Sequence, residues 1–210
     1  MDFNELNKFR KEYQGKPIQH EGITSPFVLF EKWFQEAVQA RCTEPNAMIL
    51  STCDGSQPSS RVVLLKQFDE KGFYFFTNYL SRKGQEISKN PRVSLLFYWA
   101  ELFRQVRIEG LAEKTSSQIS DEYFNSRPLE SRIHAIISPQ SRVIISRESL
   151  LKQAQSLKES PDEIKRPPYW GGYIVLPTYF EFFQGMENRL HDRVVFILQN
   201  NKWIKKQLAP

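Results

Sequence analysis

The chain is punctuated by short apolar runs, several of them closed by a turn signal, and this pattern suggests an antiparallel sheet. Asn46 to Cys53 reads as a strand ended by Asp54-Gly55, and Ser59 to Phe68 reads as the next. Asp69-Glu70-Lys71-Gly72 turns the chain into a third, aromatic run, Phe73 to Asn78. Val93 to Trp99 and Arg104 to Glu113 follow, then Tyr173 to Leu176 and Tyr179 to Gln184. Arg193 to Leu198 and Lys202 to Gln207 flank Asn200-Asn201, a hairpin signal.

Helical periodicity fills the intervals. Ser25-Pro26 opens a helix whose apolar face is Phe27, Leu29, Phe30, Trp33, Phe34 and Ala37. Ser81 caps another, stopped by Asn90-Pro91. Residues 116–126, 128–137 and 146–158 read as helices, the first two separated at Pro128. The expected fold is mainly β with helices, an α+β antiparallel barrel. Residues 1–24 form an N-terminal arm, and residues 25–210 one domain with a helical insertion at about 116–158.

Lys plus Arg exceeds Asp plus Glu by 29 to 24, a formal charge of +5. That balance favours anionic partners: nucleic acid, a membrane surface or small phosphorylated ligands. The cations are interspersed with acids and no aromatic RNA-binding motif appears, which weighs against nucleic acid. No apolar stretch approaches the ~18 residues of a membrane span, and residues 1–15 lack a signal-peptide core. Cys42 and Cys53 belong to no metal-ligand spacing, so no metal is expected, and the chain reads as cytoplasmic. Dinucleotide, P-loop, zincin and hydrolase-elbow motifs are missing from the sequence.

Several clusters carry possible chemistry. In Arg61-Val62-Val63-Leu64-Leu65-Lys66 two cations bracket apolar residues. Strand alternation sends Arg61 and Lys66 to opposite faces, either snorkelling to water or gripping anionic groups at the two strand ends. Arg82 and Lys83 occupy the first turn after Ser81, where cations oppose the helix dipole. They are either solvated surface charges or partners of an anion at that N-terminus. Tyr123, Arg127 and Ser131 flank the helix start at Pro128, which is either an ordinary helix corner or a second phosphate site. If Arg189-Leu190-His191-Asp192-Arg193 is extended, Arg189, His191 and Arg193 share one face and Asp192 points away as a structural partner. His20 and His134 read as structural. Trp170 before Gly171-Gly172 suggests an aromatic wall or a core tryptophan.

The set RVVLLK (61–66), FFTNYLSRKGQEI (75–87), NPRVSLLFYW (90–99), RQVRIEG (104–110), YFNSRP (123–128), SPQS (138–141), YWGGY (169–173) and RLHDR (189–193) resembles the pyridoxine/pyridoxamine 5′-phosphate oxidases. The likeness runs from about residue 5 to residue 210. It implies an FMN-binding split barrel that works as a homodimer. It also implies oxidation of pyridoxine and pyridoxamine 5′-phosphates to pyridoxal 5′-phosphate, with O2 reduced to H2O2. Residues implied to contact FMN are Arg61, Val62, Val63, Leu64, Leu65, Lys66, Phe76, Thr77, Arg82, Lys83, Gln105, Gln140, Ser141, Trp170 and Arg193. Lys66, Tyr123, Arg127 and Ser131 are implied to hold the substrate phosphate, and Arg189, Leu190 and His191 to meet the substrate ring, with Arg189 and His191 catalytic. Arg10 and Tyr13 are implied to belong to a covering N-terminal segment.

The chain departs from the family at Phe183, where Trp is usual, at Met186, where Gly is usual, and at Phe76, often Tyr. Alternatives to weigh are another FMN split-barrel enzyme of the phenazine type and a non-catalytic flavin- or pyridoxal-phosphate-binding protein.

Overall fold

The turn dipeptides mark strand ends in the computed structural model, which describes residues 2–9 and 11–210. The strands are β1 (Ala47–Cys53), β2 (Pro58–Leu64), β3 (Gln67–Phe68), β4 (Phe73–Asn78), β5 (Arg92–Trp99), β6 (Arg104–Lys114), β7 (Trp170–Gln184), β8 (Asp192–Gln199) and β9 (Lys202–Gln207). The helices are α1 (Phe3–Asn7), α2 (Pro26–Gln39), α3 (Arg82–Lys89), α4 (Ser117–Ser126), α5 (Leu129–Ile137) and α6 (Arg147–Lys158). The strands form one nine-stranded sheet in the order β2-β1-β5-β6-β7-β4-β3, with β8 on β7 and β9 on β8. The class is α+β, as the alternating runs indicate.

Two segments differ from the sequence reading. The run 59–68 is broken: β2 stops at Leu64 and β3 begins at Gln67. Residues 173–176 and 179–184 belong to a single strand, β7, which starts at Trp170. Its residues 170–175 pair with β4 and its residues 179–184 with β8. Pro177 has no N–H to donate, and it falls between those two registers.

The chain divides into two compact units. The first comprises Met1–Met48, Leu95–Glu109 and Thr178–Pro210. Here α2 lays its apolar face on aromatic strands. Trp33 meets Phe182 edge-on at 5.3 Å, Phe27 meets Phe180 at 5.3 Å and Phe30 meets Phe97 at 5.1 Å. Each such fully buried ring contributes about 1.5–3 kcal/mol by burial alone. Pro26 occupies the first helical position, but Ser25 makes no side-chain cap bond. The β8–β9 turn holds Asn200 and Asn201 both at positive φ, 49° and 59°, the geometry Asn tolerates in a tight hairpin.

The second unit comprises Ile49–Ser94 and Gly110–Pro177. It contains β4 paired with the first half of β7, and helices α3 to α6. Ile133 of α5 packs with Ala154 of α6 and with Ile164. Phe124 and Ala135 pack on Trp170. A Cβ on Gly171 would meet the Tyr79 hydroxyl at 2.3 Å, and one on Gly172 would meet the Phe76 ring at 2.8 Å. The glycine pair after Trp170 therefore lets two aromatic rings lie against the strand backbone.

Candidate functional site

A cleft of about 640 Å³ opens in the second unit. β2 supplies Arg61, Val62, Val63 and Leu64 to its lining, and Lys66 joins them from the break before β3. The break matters. The expected opposition of Arg61 and Lys66 does not hold, because alternation ends at Leu64. Leu65 turns into the core at 4% exposure, the Lys66 N–H bonds to Tyr74 O at 2.9 Å, and both cations face one cleft. Leu65 itself is not in the lining.

One wall is aromatic. Phe76 stacks on Tyr123 with centroids 3.9 Å apart and on Trp170 at 5.8 Å. Lys66 Nζ lies 6.0 Å from the Tyr123 centroid, and the Arg127 guanidinium 4.7 Å from that of Trp170.

At one end sits Lys83, buried at 9% exposure. Its ammonium donates to Thr77 Oγ1 at 3.2 Å, Ser81 Oγ at 3.3 Å and Gln140 Oε1 at 3.2 Å, all neutral oxygens. Burial, helped by the nearby Arg61 charge and opposed by Glu86, pushes its pKa down to about 8. Ser81 caps α3 as the sequence indicates, accepting from the Gly84 N–H. Arg61 is fastened from four directions: to Leu50 O, Thr52 Oγ1, Ser59 Oγ and, at 3.0 Å, Glu86 Oε2. Arg82 points largely to solvent, paired with Glu86 at 2.7 Å, and does not line the cleft.

Arg127 and Ser131 line the same cleft, at the start of α5. Pro128 is the N-cap residue rather than the first helical position, and no side chain caps this helix. Burial lowers the Arg127 pKa, and its Nη1 is buried with no hydrogen-bond partner. A buried guanidinium donor without an acceptor is costly unless an anion meets it. His134, read from sequence as structural, is exposed and lines the cleft one turn beyond Ser131. The i, i+3 spacing on α5 was the available signal for it. Ser141 has φ 72° and is exposed outside the lining.

A second pocket, of about 480 Å³, lies in the first unit and is lined by Tyr13, Met186, Arg189 and His191 among others. The expected extended arrangement of residues 189–193 is not what forms. Glu187–Arg189 is a 3-10 turn, with Asn188 and Arg189 at φ 53° and 60°. Only Asp192 and Arg193 enter β8. Arg189 and His191 share the pocket. Arg193 instead binds the buried Glu181, at 2.7 Å from Nη2 and 3.0 Å from Nε. Asp192 accepts from the Ile18 N–H at 2.7 Å and from Gln207, so it is structural as expected. His191 Nδ1 accepts from the Met186 N–H at 3.1 Å, and its ring lies 4.9 Å from Phe183 and 5.6 Å from Tyr13. Leu190 is 72% exposed, and Gln105 is half-buried on β6; neither lines this pocket. Arg10 lies outside the described residues. His20 is half-buried, its Nδ1 without a partner.

Among the described residues no helix is long and apolar enough to cross a membrane. Residues 34–160 match the family model described as pyridoxamine 5′-phosphate oxidase. Residues 170–210 match the model described as the pyridoxine 5′-phosphate oxidase C-terminal dimerisation region. The chain is 51% identical over 189 residues to pyridoxine/pyridoxamine 5′-phosphate oxidase 2 of Hydrogenovibrio crunogenus, covering 89% of each. It is 50% identical over 207 residues to the pyridoxine/pyridoxamine 5′-phosphate oxidase of Trichormus variabilis, covering 96% of each. Among solved structures it resembles PhzG from Burkholderia lata in complex with tetrahydrophenazine-1-carboxylic acid. That match has a TM-score of 0.88 and 31% identity over 93% of this chain and 97% of that one. A pyridoxamine 5′-phosphate oxidase-related, FMN-binding protein from Nostoc punctiforme matches with a TM-score of 0.73 at 16% identity, over 89% of this chain and 98% of that one. This last likeness speaks to the split-barrel fold alone. By both family models and by the identity to these relatives, the chain belongs to the pyridoxamine 5′-phosphate oxidase family.

Proposed function

We propose that this chain is an FMN-dependent oxidase that converts pyridoxine 5′-phosphate and pyridoxamine 5′-phosphate to pyridoxal 5′-phosphate, working as a homodimer in the cytoplasm. The carrying observation is a buried ammonium and a half-buried guanidinium lining one cleft. Lys83 touches only neutral oxygens, and Arg127 keeps a buried donor unpartnered. Two such groups beside an aromatic wall suit two phosphate monoesters and a planar ring system. The C-terminal dimerisation match supports the dimer.

The residues present fit FMN. Lys83 and Arg61 would hold its phosphate, with Thr77 and Gln140 beside them, and the β2 backbone and Trp170 would border its ring. When bound, FMN supplies hydride acceptance and its return to dioxygen as hydrogen peroxide. The alcohol of pyridoxine phosphate becomes an aldehyde; the amine of pyridoxamine phosphate becomes an imine that water converts to aldehyde and ammonia.

The chain's own work is positioning. Arg127, Ser131, Lys66 and Tyr123 anchor the substrate phosphate remote from the reacting carbon, which contributes orientation. Arg189 and His191 orient the ring. With Nδ1 occupied by the Met186 N–H, a neutral His191 carries its proton on Nε2 and donates from there. Tyr13 covers the site from the N-terminal segment, Arg10 being assigned to the same cover. Gln105, Ser141, Arg82, Leu65, Leu190 and Arg193 keep their assigned roles as proposals that rest on the family likeness.

Oxygen uptake by the FMN-loaded protein tests this reading. Uptake is expected with both phosphorylated substrates and not with unphosphorylated pyridoxine. Turnover of a tetrahydrophenazine carboxylic acid, with neither B6 phosphate consumed, would overturn it in favour of a phenazine-type enzyme.

A further inference from the structure

Glu86 lies outside every role assigned above. It is buried at 5% exposure on α3, yet it is charged. Its Oε2 accepts from Thr52 Oγ1 at 2.5 Å and from Arg61 Nη2 at 3.0 Å, and its Oε1 from Arg82 Nε at 2.7 Å. Thr52 also accepts from Arg61 Nη1 at 2.5 Å, which closes a ring of hydrogen bonds between β1, β2 and α3. Burial alone would raise the Glu86 pKa. The bonds from Thr52, Arg82 and Arg61 outweigh it and hold the carboxyl below its ordinary range.

We infer that Glu86 is a positioning residue for phosphate binding: it fixes the Arg61 guanidinium at the cleft wall and sets a carboxylate three residues along α3 from Lys83. This inference deepens the FMN reading and rests on it. Arg61 and Lys83 repel one another, and Lys83 has no carboxylate in contact among the described residues. The charged groups acting on Lys83 are Arg61 from β2 and Glu86 from α3; Thr77 from β4, Ser81 and Gln140 are neutral. Arg61 and Lys83 against the single Glu86 carboxylate leave a net positive charge at this end of the cleft, which favours a phosphate there. Without the carboxylate, Lys83 loses the one neighbour that favours its charged form, so it sheds its proton at lower pH and an anion loses its strongest contact.

The test is titration of apoprotein with FMN and with riboflavin, followed by flavin fluorescence from about pH 6.5 to pH 9 around the Lys83 value. Glu86→Gln keeps the volume and removes the charge. It is expected to weaken FMN about tenfold, the value of a charge-assisted hydrogen bond, while leaving riboflavin unchanged. Its FMN affinity should fall away at lower pH than in the parent. Thr52→Val, which removes the hydroxyl joining Glu86 to Arg61, should give a smaller loss in the same direction and serves if Glu86→Gln does not fold. Equal FMN affinity with an unmoved pH profile in a folded variant overturns the inference, as does equal loss for FMN and riboflavin. Failure of the parent protein to prefer FMN over riboflavin overturns instead the reading on which it rests.

Discussion

The backbone N–H of Met186 donates to Nδ1 of His191 across 3.1 Å, so the imidazole is held by the residue that begins its own turn. This fixes which nitrogen faces the pocket. His191→Asn preserves an acceptor near the Nδ1 position and loses the Nε2 donor. Steady-state oxygen uptake should show kcat/KM lowered roughly a hundredfold, a usual value for a lost catalytic donor, with FMN affinity unchanged. A variant as active as the parent would remove His191 from the chemistry.

Arg127 carries the buried Nη1 without a partner, over the face of Trp170. Substrate phosphate supplies the missing acceptor in the proposed function. Arg127→Ala should raise KM for pyridoxine 5′-phosphate by roughly 10–100-fold, about 1.5–3 kcal/mol for a charge-assisted bond. kcat should change less. Arg127→Lys restores the charge without the planar fork and should recover only part of the loss.

The Lys83 amine gives a pH dependence of definite sign. Its pKa falls from 10.5 to about 8 in the fold. Below pH 8 the buried amine is charged in both states and the fold carries the burial penalty. That penalty is relieved as pH rises from about 8 toward 10.5, so this group makes the apoprotein relatively more stable there. Phosphate binding has the opposite trend, because the dianion needs the ammonium. FMN affinity should fall as pH rises through about 8, and calorimetry in buffers of different ionisation heat should show proton uptake on binding near that pH. Binding without proton uptake and with a flat pH profile would place the phosphate elsewhere.

Gly15 seats the N-terminal segment. Its N–H bonds to Gly185 O at 3.1 Å, and an added Cβ would meet that oxygen at 2.3 Å and Gln184 Nε2 at 2.2 Å. Gly185 in turn lies under the Tyr13 ring, 2.5 Å from where its own Cβ would be. Gly15→Ala should lift the segment and move Tyr13 off His191. The expected result is a severalfold higher KM with FMN affinity intact, since no cleft residue of the second unit is disturbed. An unchanged KM would make the segment's contact incidental.

The turn dipeptides and the Ser81 cap are legible because they are local. Asp54-Gly55, Ser81 and Asn200-Asn201 act within a few residues. Three features were not legible, each for its own reason. Alternation set Arg61 against Lys66, but Leu65 enters the core and ends β2, and a two-residue break cannot be seen in an uninterrupted apolar run. The segment 189–193 looked extended because its charges alternate; Asn188 and Arg189 in the left-handed region turn it, and Asn188 was the only hint. Glu86 was visible only as an i, i+4 partner of Arg82. Its bonds to Thr52 and Arg61 join positions 34 and 25 residues away, which no periodicity reveals.

The central claim is that a flavin held in this chain accepts hydride from a phosphorylated pyridine. Anaerobic addition of pyridoxine 5′-phosphate to the FMN-loaded protein, followed by its visible absorbance, tests that most directly. The flavin bands are expected to bleach on addition of substrate and to return when air is admitted, with pyridoxal 5′-phosphate recovered. Bands that persist with FMN demonstrably bound and substrate in excess would contradict it.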